Sequence, residues 1–122
     1  MRSPKLLSAL FFSSVALVVV HRLAIHYSLY WRISWFDNLS HVLGGVSIGF
    51  FAAWVYAARG FPIRISVCAL AAFAIGIECE IFEYVEQFPV SPFMSYPLDT
   101  VKDLCVDTLG AVSAAILARR LA

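Results

Sequence analysis

The sequence predicts an all-α fold: four transmembrane helices in one antiparallel bundle, a single domain over residues 1–122. Three observations carry this reading. First, 61% of the residues are hydrophobic and 14% charged, whereas a soluble domain carries about a quarter charged residues. Second, mean hydropathy is +0.84. Third, long apolar runs alternate with short segments rich in Pro, Gly, Arg and aromatics, with no repeat or low-complexity tract between them.

The first helix is expected over about 5–27. Its apolar core spans 6–20 and is followed by His21, Arg22 and His26. Arg2 and Lys5 ahead of an apolar run also suit a signal peptide, but no small-x-small pattern follows Val20 and the apolar character resumes after His21. An uncleaved helix is the expectation. The second helix covers 37–58 and stops at Arg59-Gly60-Phe61-Pro62, a turn that ends one helix and starts the next. The third covers 62–87. Residues 88–98 contain Pro89, Pro92 and Pro97 and read as an ordered loop, and the fourth helix covers 99–119.

Length then forces acids into the bilayer. A spanning helix needs roughly 20 residues. Residues 108–118 supply only 11 uncharged ones, so the last span must extend back through Asp107 and Asp103 to Asp99. A span of that length from Ile65 takes in Glu78, Glu80 and Glu83. Acids at membrane depth are costly and mark functional sites.

Orientation follows from the cations of the short loops. Arg2, Lys5, Arg59, Arg64, Arg119 and Arg120 fall on one side, and Arg22, Arg32 and Lys102 on the other. This bias predicts a multipass protein of the inner (plasma) membrane with both termini cytoplasmic. Trp31, Trp35, Phe36, Tyr84, Phe88, Phe93 and Tyr96 then form an aromatic belt at the outer face. The same topology gathers the acids in one outer layer.

That layer contains a constellation. Asp37 and His41 are four residues apart and share a helix face. Glu80 and Glu83 share a face on the third helix, and Asp99, Asp103 and Asp107 form a slowly drifting stripe on the fourth. Eight acids confront three fixed bases there, so at least five carboxylates lack a basic partner. Crowded carboxylates in a low dielectric must bind cations, bind protons or face water. Oxygen-rich sites suit hard divalent ions, and a histidine extends the choice to Zn, Mn or Fe beside Mg. The expected metal ligands are Asp37, His41, Glu80, Glu83, Asp99 and Asp103, with His41 and Asp37 as catalytic groups. Arg22 and Lys102 are the expected substrate-binding cations, Arg22 pairing with His26 one turn on as an anion clamp. Helix capping is the competing role for Asp37 and Asp99. Gly45 and Gly49 have the spacing of a close helix contact, and Gly76 and Gly110, one to two turns from the acids, suit close backbone approach between helices.

The strings Asp37-Asn38-Leu39-Ser40-His41 with Gly44-Gly45, then Glu80-Ile81-Phe82-Glu83, then Asp99-Thr100-Val101-Lys102-Asp103 followed by Thr108-Leu109-Gly110-Ala111 carry a resemblance. The chain resembles the YjdF-like small bacterial inner-membrane proteins of unknown function and is more distantly similar to the VanZ-like family. The likeness covers about 37–111 and implies a multipass membrane protein. Asp107 stands where that pattern would have a small or amide residue, so its replacement is expected to matter less than that of the other acids.

The functional expectation is an outer-facing intramembrane Asp/Glu/His cluster that binds a divalent metal. As an enzyme, the protein would catalyse metal-assisted hydrolysis or transfer on a lipid-like phosphate ester. Two alternatives stay open: a cation or proton relay or carrier in a homo-oligomer, and an accessory subunit of a larger membrane complex. The expected partners are the lipid bilayer and an amphiphilic small molecule. Nucleic acid is not expected, because no basic patch with interleaved aromatics exists.

Overall fold

The computed structural model describes residues 3–122 and is helical throughout, with no strand among the described residues. Arg2, one of the cations used for orientation, lies outside them. The helices are α1 (Pro4–His26), α2 (Leu29–Arg32), α3 (Phe36–Ala58), α4 (Ile65–Val85) and α5 (Tyr96–Leu121). There are five helices where the sequence suggested four, because α2 is a single turn launched by the left-handed Ser28 (φ 57°).

Among the described residues, three helices are long and apolar enough to cross a membrane: α1, α3 and α4. α5 is long enough, but Asp99, Lys102, Asp103 and Asp107 fill its first half. It is nevertheless the most enclosed helix. Asp103, Asp107, Gly110, Ala111, Ala114, Ala115 and Ala118 are all buried against its neighbours.

Local chemistry sets the boundaries. Ser3 caps α1, its hydroxyl accepting from the Leu6 amide, and also donates to the Leu121 carbonyl at 3.0 Å, which ties the start of α1 to the end of α5. α3 and α4 end alike, in a left-handed residue that lets two amides reach back to the last carbonyls. At α3 this residue is Gly60 (φ 77°), and the Phe61 amide reaches Tyr56 O at 2.9 Å. At α4 it is Gln87 (φ 55°), and the Phe88 amide reaches Glu83 O at 3.0 Å.

Neither Asp37 nor Asp99 is an N-cap. Trp35 and Ser95 hold those positions, without side-chain cap bonds. α5 begins ahead of Pro97, which sits in the first turn where its missing N–H costs nothing. Both aspartates are thereby one helical turn or less inside their helices and free for other partners.

Small residues seat α3 on α5. A Cβ at Gly45 would collide with the Asp107 carbonyl, and one at Gly49 would lie 2.8 Å from Ala111 Cα. The packed ends differ in kind. The starts of α1 and α4 and the ends of α3 and α5 form an apolar core around Leu6, Phe50, Ala53, Cys68, Ala115 and Ala118. At the opposite end the same four helices enclose the acids.

Candidate metal centre

Asp37, in the first turn of α3, and His41, one turn later, point at the first three turns of α5. His41 Nε2 lies 3.5 Å from Asp37 Oδ1 and 3.3 Å from Asp103 Oδ2. Its other nitrogen, Nδ1, is 3.0 Å from Asp107 Oδ1. A carboxylate only accepts, so Nδ1–H donates to Asp107 and Nε2 is directed between Asp37 and Asp103. Those three residues can each offer one ligand atom within 4.8 Å of the others.

The spacing has chemical meaning. Two donors at about 2.1 Å from one ion in a tetrahedral shell stand about 3.4 Å apart. The two separations from Nε2 bracket that value. The Asp107–His41 contact completes the arrangement by fixing the imidazole's tautomer and ring orientation, the usual role of an outer carboxylate behind a histidine ligand.

Asp107 was the acid expected to matter less, and the structure brings it into contact with His41. It is buried, it is the partner of His41, and a Cβ on Gly76 of α4 would approach its Oδ2 to 2.9 Å. Gly76 thus makes room for this carboxyl. The signal was available in the stripe itself, since Asp107 continues the four-residue spacing of Asp99 and Asp103.

Lys102 is also placed differently from its expected role. Its Nζ lies 3.2 Å from Asp37 Oδ2, 3.1 Å from Asp99 Oδ1 and 2.9 Å from Asp103 Oδ1. It is the counter-ion of the cluster and is not free to meet substrate. Only the contact to Asp37 is an aligned hydrogen bond. Asp99 Oδ1 and Asp103 Oδ1 are buried and accept no aligned hydrogen bond from the described residues. Asp99 joins the cluster through Lys102 alone, without contact to His41.

Glu80 and Glu83 part company. Three residues of helix leave about 60° between two side chains, and the α4–α5 seam falls in that interval. Glu83 faces the cavity beside His41, whereas Glu80, 8% exposed, accepts from Thr100 Oγ1 at 3.0 Å in a separate shallow groove. Glu80 is therefore not brought to the cluster.

The cluster opens into a cavity of about 580 Å³ walled by all five helices and the segment before α5. Arg22 lines its α1 wall, but His26 does not; His26 packs edge-on against Tyr27, 4.7 Å between ring centroids. The histidine that joins Arg22 on the wall is His21, whose Nδ1 is 2.8 Å from the Tyr30 hydroxyl. That hydroxyl is 2.7 Å from Ser40 Oγ. Tyr30, on α2, lies outside the membrane-spanning helices, and burial pushes its phenol above the ordinary range against the opposing pull of the Ser40 hydrogen bond. Sequence reasoning missed Tyr30 because nothing in residues 27–32 announces a one-turn helix.

Comparison with known proteins adds one match. The family described as "Predicted membrane protein (DUF2238)" covers residues 1–122. No curated protein and no solved structure matches the chain. With the family match running the full length, and in keeping with the YjdF-like motifs of α3, α4 and α5, the chain belongs to this family of predicted membrane proteins of unknown function.

Proposed function

We propose that this protein is a multipass inner-membrane protein that holds a divalent metal ion on Asp37, His41 and Asp103. All four long helices cross the bilayer as an antiparallel bundle, with both termini in the cytoplasm and the metal site opening outward. The reaction is metal-dependent hydrolysis or transfer on a lipid-like phosphate ester. One observation carries the reading: His41 commits Nδ1 to Asp107 and aims Nε2 between two carboxylate oxygens at 3.3 and 3.5 Å. Five carboxylates line the cavity, and only Lys102 and Arg22 are fixed cations on its walls. A divalent ion at Nε2 offsets most of that surplus.

The chemistry such an ion supplies is polarisation of a phosphoryl oxygen and acidification of bound water. The chain's own residues do the rest. Asp107 orients His41, Lys102 holds Asp37 and Asp103 in place, and Glu83 faces the cavity as a free carboxylate able to take a proton.

Elemental analysis of detergent-purified protein tests the proposal. Stoichiometric Zn, Mn, Fe or Mg is expected in the wild type, with loss in His41→Gln and in Asp103→Asn and retention in Glu80→Gln. Wild-type protein without metal after incubation with each ion, and with unchanged melting on chelation, would overturn it.

A further inference from the structure

α1 packs against α3, and α4 packs against α5 and α3, yet no Cα of α1 comes within 8 Å of any Cα of α4. The cavity occupies this gap. Val18 and Ile25 form its α1 edge, and Ile75 and Phe82 its α4 edge. Val18 is 60% exposed and Ile75 38%, so the gap is open sideways. Both edges belong to helices apolar enough to span a membrane. With both helices in the bilayer, as in the proposed topology, the opening meets hydrocarbon and the cavity is a lateral slot in the wall of the helix assembly.

Charge divides the slot. Its outer flanks are apolar. Arg22, exposed on the same α1 wall one turn beyond Val18, makes no ion pair among the described residues. The Asp37/His41/Asp103 cluster lies on the α3 and α5 walls of the same cavity. A ligand matching all three zones has an apolar chain, a group for a guanidinium, and oxygens to offer a metal. Arginine's planar donor fork suits a phosphate. The cavity of about 580 Å³ lies within the usual range for a small-molecule site. It holds a headgroup and the upper part of a chain, and the remainder of the chain must run out between α1 and α4.

We propose that a membrane phospholipid docks from the bilayer through the gap between α1 and α4, its acyl chain against Val18 and Ile75 and its phosphate on Arg22, facing the Asp37/His41/Asp103 cluster. This rests on the metal-centre reading, because five cavity carboxylates repel a phosphate until a divalent cation bridges them. It goes beyond that reading by assigning the route, the chain slot and the headgroup anchor.

Photocross-linking tests it. The metal-loaded protein in maltoside micelles receives phosphatidic acid carrying a diazirine in its acyl chain, and the labelled peptides are mapped. Labelling is expected to concentrate several-fold at Val18 and Ile75 over Leu70 and Leu109, which are exposed outside the cavity. Val18→Trp, which fills the slot at an exposed position, should lower it about tenfold with metal content unchanged. Arg22→Gln should lower it by a similar factor, and diacylglycerol bearing the same diazirine should label the slot several-fold less than phosphatidic acid. Glycerol 3-phosphate in excess should leave the labelling in place. Even labelling of all outer faces, or indifference to Val18→Trp, would overturn the docking proposal. Equal labelling by diacylglycerol, or displacement by glycerol 3-phosphate, would do the same. Absence of slot labelling in a wild type that elemental analysis finds metal-loaded would overturn docking alone, whereas a metal-free wild type is the failure of the metal centre, so the two failures are distinguishable.

Discussion

At the scale of single residues, Asp107 and His41 act as a unit. Asp107 accepts the Nδ1 proton and so decides which way Nε2 faces. Removing an outer partner of this kind costs about 10- to 100-fold in metal affinity. Asp107→Asn keeps the shape but can present an amide N–H to Nδ1, which turns the tautomer over. We expect Asp107→Asn to weaken metal binding by that factor in a competition titration with a metal-sensitive dye, whereas Glu83→Gln, with no contact to His41, changes it less than threefold. Equal losses in both variants would show that cavity charge, and not imidazole orientation, governs affinity. Lys102→Met is a second residue-scale case. It strips the counter-ion from Asp37, Asp99 and Asp103, of which Asp103 is buried, and leaving a buried charge without its partner typically costs about 3–5 kcal/mol. The variant should melt markedly lower in detergent, and added divalent ion should recover part of the loss.

Helix ends and seams show what the elements contribute. Gly60 and Gly45 are both glycines for reasons of backbone, but different ones. Gly60 has φ 77° and open space around its Cα. Gly60→Ala should cost about 1–2 kcal/mol, the strain of a left-handed L-residue. Gly45 lies against the Asp107 carbonyl, where no Cβ fits. Gly45→Ala must push α3 off α5, an overpacking cost of about 1–3 kcal/mol or more, and it also separates His41 from Asp107. The two variants therefore differ in a second readout. Thermal melting should drop in both, but metal content should fall only in Gly45→Ala.

On the scale of the whole molecule, polarity is divided end to end. Apolar side chains close one end of the helix assembly, and carboxylates, histidine and lysine occupy the other. Exposed aromatics such as Trp35, Tyr84, Phe88 and Phe93 surround the acidic end, as expected of a membrane–water interface. The proposed orientation makes a direct demand. A phosphatase reporter fused after Ala122 should stay in the cytoplasm and be inactive, while a fluorescent reporter at the same position glows; the reverse would invert the site toward the cytoplasm.

Helical class, the clustering of the acids at one end and their local excess over basic residues there were legible in the sequence. They depend on composition and on the short reach between apolar runs, which are properties of a chain before it folds. The spacing of Asp37 and His41 was legible for the same reason, because one helix fixes the angle between its own side chains. The choice among acids was not. Whether Glu80 or Glu83 faces the cavity, whether Lys102 pairs with the cluster, and whether Asp107 reaches His41 all depend on how each helix is rotated about its axis. That rotation is set between helices, by Gly45 and Gly49 seating on Asp107 and Ala111 and by Gly76 yielding space to the Asp107 carboxyl. The sequence by itself determined that a surplus of negative charge would lie inside an apolar helical assembly. Only the tertiary structure decided that Asp37, Asp103 and Asp107 are the three that surround one imidazole, because close backbone contact locks α3 and α5 in a single register.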